Sequence, residues 1–121
     1  MTELLEILKE RLSPIVGGNI HTIDAPDTTK PPYIVLTPID DSYSFHADDT
    51  PQSWTEDVLI SIYTVDNYRE LAEVVCKACI DAGCTITERR FIERESKTKY
   101  FHYAVTVEKE FEGCSIGKDR T

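Results

Sequence analysis

The chain is predicted to be an α+β domain: an antiparallel sheet of about four strands with both helices packed on one face, in the order α-β-(β)-β-α-β-β. Three observations carry that expectation. A leucine-rich stretch near the start repeats at helical spacing. A strand-like run, Thr55 to Val65, leads into an amphipathic helix, Asp66 to Ala82. A glycine turn then precedes two more strand-like runs, Cys84 to Glu95 and Lys99 to Phe111. Strands joined by short turns are antiparallel. Residues 1–112 are read as a single α+β domain and residues 113–121 as a flexible C-terminal tail.

Residues 3 to 13 form the first predicted helix. Leu4, Leu5, Leu8 and Leu12 share one stripe, which Ile7 widens. Thr2 is the expected N-cap, and Glu3 and Glu6 suit the positive end of the helix dipole. Pro14 and the Gly17-Gly18 pair end the helix. Residues 15 to 32 read as an irregular connection with a short extended piece near Ile20 to Ile23. Pro26, Pro31 and Pro32 keep it out of a helix.

Tyr33 to Ile39 is β-branched and aromatic and reads as a strand closed by Pro38 and an acidic pair. Asp40 to Ser53 is polar and acidic and reads as a loop or a loose hairpin arm. In the next run, Val58, Ile60 and Ile62 share one face, and Leu59, Ser61, Tyr63 and Val65 the other. Both faces are apolar enough for a central strand. Asp66 is the expected cap of the second helix. Its stripe is read as Leu71, Val74, Val75, Ala78 and Ala82, and Gly83 suits the position just past its end.

The run Cys84 to Glu95 is polar enough for an edge strand, and Glu95 to Thr98 forms the turn of a hairpin. In the last strand Phe101, Tyr103, Val105, Val107 and Phe111 face one way. Tyr100, His102, Thr106, Glu108 and Glu110 face the other. That alternation implies one buried face and one face left to water or a partner.

Composition narrows the function classes. The chain has 121 residues, 40% of them hydrophobic and 29% charged, and a net charge of −9. No apolar run nears the roughly 20 residues of a spanning helix. The acidic opening lacks the pattern of a signal peptide, so the cell interior is the expected location. Net negative charge disfavours general binding to a phosphate backbone. Arg89, Arg90, Arg94, Lys97 and Lys99 do cluster, but Glu88, Glu93 and Glu95 are interleaved with them. Between Lys30 and Arg69 there is no basic residue, while Asp40, Asp41, Asp48, Asp49, Glu56, Asp57 and Asp66 crowd that stretch. A segment of one sign stays solvated unless a partner neutralises it.

Catalytic signatures are missing. Gly17-Gly18 is not followed by the Lys-Ser/Thr pair of a phosphate loop. There is no G-x-S-x-G elbow. His21, His46 and His102 lack partners at metal-ligand spacing. The aspartate pairs lack the alternating spacing of a calcium loop. Cys76-x-x-Cys79 lies inside a helical pattern, where Cys79 shares a stripe with Tyr68, Ala72 and Val75. It reads as small core residues rather than as half of a zinc site. No catalytic, cofactor or metal residue is therefore expected. The candidate interaction residues are Asp40, Asp41, Asp48, Asp49, Glu56, Asp57, Tyr100 and His102.

The pattern as a whole resembles the tail completion or tail terminator proteins of long-tailed bacteriophages and prophages. The resemblance rests on the leucine-rich opening helix and the strand Trp54-Thr55-Glu56-Asp57-Val58-Leu59-Ile60-Ser61-Ile62-Tyr63. It rests also on the helix from Tyr68 and the ending Tyr100-Phe101-His102-Tyr103-Ala104-Val105-Thr106-Val107. It implies a non-enzymatic virion protein of the tail or neck, assembled in the host cytoplasm. It also implies a ring, usually a hexamer and sometimes a monomer in isolation, that caps the tail tube protein and docks a head connector. DNA passes through such a ring without specific binding, and no membrane or cofactor is involved. The four cysteines are not a requirement of that family. The competing expectations are a small regulatory or ligand-binding α+β domain of a bacterial cytoplasm and, third, an enzyme using the acidic loop and His102.

Overall fold

A computed structural model describes residues 3–26, 28–45 and 51–112, with the side chains at 44, 45, 51 and 52 set aside. Helix α1 spans Glu3–Leu12 and runs into a short 3-10 turn, Ser13–Val16. Strands β1 (Ile20–Thr22), β2 (Tyr33–Phe45) and β3 (Pro51–Thr64) follow, then helix α2 (Tyr68–Asp81) and strands β4 (Thr85–Arg94) and β5 (Phe101–Glu112). The architecture is α+β, as expected. The sheet has five strands in the order β1-β2-β3-β5-β4.

The sheet is mixed rather than wholly antiparallel. β1 pairs parallel to β2, Ile20 with Ile34 through Thr22 with Leu36, and every other neighbour is antiparallel. The short extended piece near Ile20 is thus a fifth strand. Its direction follows from the long connection through Pro26, Pro31 and Pro32, which carries the chain back before β2 begins.

The stretch from Asp40 to Ser53 is expected as a loop or a loose hairpin arm; its described residues, 40–45 and 51–53, are the paired strands of a hairpin arm. β2 continues to Phe45 and β3 begins at Pro51. Cross-strand pairing overrides the poor strand propensity of Asp and Ser. Asp41 lies opposite Glu56, Ser42 opposite Thr55 and Tyr43 opposite Trp54, after an irregularity between Pro38 and Asp40. Trp54 also stacks on Phe111 of β5, with ring centroids 5.2 Å apart.

One core holds both helices to the same side of the sheet. Leu4, Leu8 and Leu12 of α1 and Ala72, Val75 and Cys79 of α2 pack on Ile34, Leu36, Val58, Ile60, Ile62, Val105 and Val107. The central place of β3 and the edge place of β4 agree with the sequence reading.

Two details of α2 differ from expectation. Its N-cap is Asn67, not Asp66, and the Asn67 side chain accepts the Glu70 N–H at 3.2 Å. Of the expected stripe, Val75 is fully buried and Leu71, Ala78 and Ala82 pack on the core, but Val74 lies off it at 46% exposed. Ala72, Cys76 and Cys79 complete the buried face. The helix closes on a Schellman motif. Cys84 N–H reaches Cys79 C=O and Gly83 N–H reaches Ile80 C=O, both at 2.9 Å, with Gly83 at φ +89.

Candidate functional site

With both helices on one side, the other face of the sheet is left uncovered by any helix among the described residues. Strand register orders it into rows. At one end Tyr33, Tyr63, His102 and Glu93 lie side by side across β2, β3, β5 and β4. The next row is Val35, Ser61, Ala104 and Arg90, with His21 beside Val35. Then come Thr37, Leu59, Thr106 and Glu88, and finally Asp40, Asp57 and Glu108.

The first row is a stacked ladder. Tyr33 lies 4.6 Å from Tyr63, and Tyr63 lies 4.3 Å from His102, all nearly parallel. Tyr100 meets the edge of Tyr33 at 6.4 Å, and His21 does so from the other side at 6.3 Å. Such contacts make a rigid amphipathic patch. Burial, then Tyr63, Glu95 and Tyr100, push the Tyr33 hydroxyl up to about 12. Burial lowers the His102 pKa below its ordinary value, although Glu95 and Glu93 pull the other way. Its Nε2 is buried without a hydrogen-bond partner. The ring is thus held neutral with an unmet polar atom facing the patch.

The last row is the reverse in character. Asp57 sits between Asp40 and Glu108 on adjacent strands. Burial raises its pKa first, followed by the charge of Glu108, a hydrogen bond to Glu108 and the charge of Asp40. Ionised, Asp57 leaves Oδ1 buried and unpartnered. Protonated, it donates to Glu108. The row therefore favours holding a proton or meeting a cationic partner. Among the described residues, no three of His, Cys, Asp and Glu gather as a metal site.

The eight candidate residues divide accordingly. Tyr100 and His102 come together in the aromatic row. Asp40 and Asp57 come together in the acidic row. Asp41 is exposed at the edge of β2, and an open cleft of about 320 Å³ brings it together with Asp40, Glu56 and Asp57, beside Leu5 and Val58. Glu56 points inward and is 3% exposed. Its Oε1 accepts the Leu4 N–H at 2.9 Å and its Oε2 accepts Trp54 Nε1–H at 2.7 Å. It secures the start of α1 rather than lying on the surface as expected. Asp48 and Asp49 lie outside the described residues.

Sequence reasoning missed Tyr33 and Tyr63 as partners of His102, and Glu108 as the partner of Asp57. The alternation signal placed Glu108 and His102 on one strand face, but nothing local reveals which residues of β2 and β3 lie across from them.

The three described cysteines form no part of this face, and Cys114 lies outside the described residues. Cys76, Cys79 and Cys84 are free and buried on the helix side. Burial, then Cys84 and Cys76, push the Cys79 thiol up to about 12, so it packs rather than reacts.

No family model matches the chain, and no curated protein matches it. The fold is similar to that of a chain in a solved structure described as the virion of a native gene transfer agent particle. The TM-score is 0.56 at 17% identity, over 88% of this chain and 92% of that one. The likeness is one of fold, and it spans nearly the whole of both chains.

Proposed function

We propose that this chain is a structural protein of a phage-like particle, acting as a tail terminator or tail completion protein at the head-tail joint. The observation that carries the reading is the near full-length likeness of fold to a chain of a gene transfer agent virion. The uncovered sheet face supports it, since a face with an aromatic row and an acidic row suits contact with other chains. In this reading the chain is not an enzyme. Copies close into a ring, a hexamer, on the end of the tail tube protein, and the ring docks the head connector. Its mechanism is geometric: repeated contacts between identical protomers set the ring, and the ring sets the joint.

DNA passes the ring without being held. The carboxylates of Asp40, Asp57 and Glu108 lie on one sheet face. Turned to a channel, the charge that Asp57 and Glu108 share repels phosphate and keeps DNA moving. The protein works in the virion and is assembled in the host cytoplasm.

The test is removal of the gene from a particle-producing cell. Electron microscopy is expected to show filled heads and separate tails, restored to whole particles by the gene in trans. Normal numbers of joined, infectious or transducing particles without the gene would contradict the assignment.

A further inference from the structure

The two edges of the sheet differ in charge, and each is open among the described residues. β4 ends the sheet on one side and is exposed along nearly all its length. On the other side β1 covers β2 only from Ile34 to Leu36. Beyond that, among the described residues, no strand pairs with the outer edge of β2. The β4 edge carries Arg89, Arg90 and Arg94, with Phe91 45% and Ile92 38% exposed. The β2 edge carries Asp40 and Asp41 after Ile39, which is 53% exposed. No ion pair holds Arg90, Asp40 or Asp41 among the described residues, whereas Arg89 meets Glu73 at 2.9 Å.

We infer that the β4 edge of one copy pairs antiparallel with the Asp40–Phe45 edge of β2 in the next copy, setting Arg90 against Asp40 and Arg89 against Asp41. The inference rests on the ring reading and names the surfaces that would close it. Direction agrees: β2 and β5 run one way, β3 and β4 the other. Neighbouring copies in the same orientation therefore bring β4 antiparallel to β2. Face agrees as well. Arg90 and Asp40 both lie on the uncovered face, and Arg89 and Asp41 both lie on the helix side, so one register matches both pairs.

Sterics set a stagger. β1 blocks the first part of β2, and Pro38 lacks an N–H to share, so pairing starts from Asp40. Opposing Arg90 to Asp40 shifts successive copies along the strands by roughly 15 Å. A closed sheet needs such a shear.

Charge also selects the partner. Two β2 edges meeting would oppose aspartates with no cation between them. β4 carries Glu88 and Glu93 among its arginines, so the selection comes from the β2 edge, which refuses its own kind and accepts Arg89 and Arg90. A contact between different patches on identical chains propagates head to tail and closes into a ring when its rotation permits.

Charge exchange tests this with the full chain in sedimentation velocity across a concentration series. The proteins are the wild type, Arg90→Glu, Asp40→Arg, an equimolar mixture of those variants, and the chain carrying both substitutions. Both positions are exposed, and circular dichroism checks that each variant is folded. Asp41→Lys serves as a second acidic-edge variant. Each single variant is expected to self-associate at least about tenfold more weakly than the wild type. The mixture and the double variant are expected to recover, since each restores an opposite-charge contact. A wild type that forms rings while the single variants do so equally well, or while the exchange fails to rescue, overturns this edge contact and leaves the ring standing. A wild type that stays monomeric throughout overturns this edge contact as one the chain makes by itself, and leaves the ring reading to the gene-removal test.

Discussion

Leu4 donates its backbone N–H to Glu56 Oε1 at 2.9 Å, so the start of a helix and the middle of a central strand share one buried carboxylate. The other oxygen accepts Trp54 Nε1–H at 2.7 Å. A negative group at a helix start meets both the dipole and an orphan N–H. Removing the side chain leaves two buried donors without this acceptor. Glu56→Ala is expected to lower stability by roughly 2–4 kcal/mol, with Glu56→Gln milder. Urea unfolding measures it, and an unchanged midpoint for the alanine variant would contradict this role.

Gly83 closes α2 in a conformation that other residues resist. Its φ is +89, and an added Cβ would meet Lys109 Nζ at 2.7 Å. The lysine end can swing aside, but the backbone strain stays. Gly83→Ala is expected to cost about 1–2 kcal/mol, read as a lower thermal midpoint. Gly83→Asn is expected to cost less, because Asn tolerates that region better.

The acidic row makes stability depend on pH in an unusual sense. The folded pKa of Asp57 lies above its ordinary value of 3.8. The folded protein therefore holds the proton more tightly than the unfolded chain does. Stability is lost as pH rises from 3.8 through the raised value, and the penalty is complete above it. Asp57→Asn removes that penalty. At neutral pH it is expected to stabilise the protein by up to about 1 kcal/mol, the scale of like charges on facing strands. Chemical unfolding at several pH values tests this. A destabilised Asn variant at pH 7 would show that the carboxylate is paired favourably.

His102 acts in the opposite sense. Burial holds its folded pKa below 6.5. The unfolded chain binds the proton more readily, so the contribution is complete above 6.5 and is lost as pH falls through the lowered value. His102→Phe keeps a ring stacked on Tyr63 and removes both the proton site and the unpartnered Nε2. The variant is expected to be at least as stable as the wild type at pH 7. It should also lose less stability than the wild type when the pH drops to 5. Equal losses in the two proteins would place the titration elsewhere.

Much of this fold is legible from periodicity. The leucines of α1, the alternation of β5 and the glycine after α2 each follow from one local rule, and the structure contains all three features. The acidic arm is only half legible, because Asp and Ser argue for a loop and only Thr55, Trp54 and Glu56 across the ladder make a regular strand of it. The extended piece at β1 is legible, but three residues carry no signal of its parallel pairing with β2. The candidate face was half visible. His102 and Tyr100 stand on the wet side of one strand, but their partners Tyr63 and Tyr33 lie far away in sequence. Glu56 was misjudged for the same reason. A carboxylate in an acidic run looks exposed until the helix start it caps is known.

The most direct measurement is cryo-electron microscopy of particles purified from cells that make this chain. The expected result is a closed ring of copies between the head-proximal end of the tail tube and the connector, with Asp40 of each copy beside Arg90 of its neighbour. Complete, joined particles that contain no copy of this chain would contradict the assignment outright.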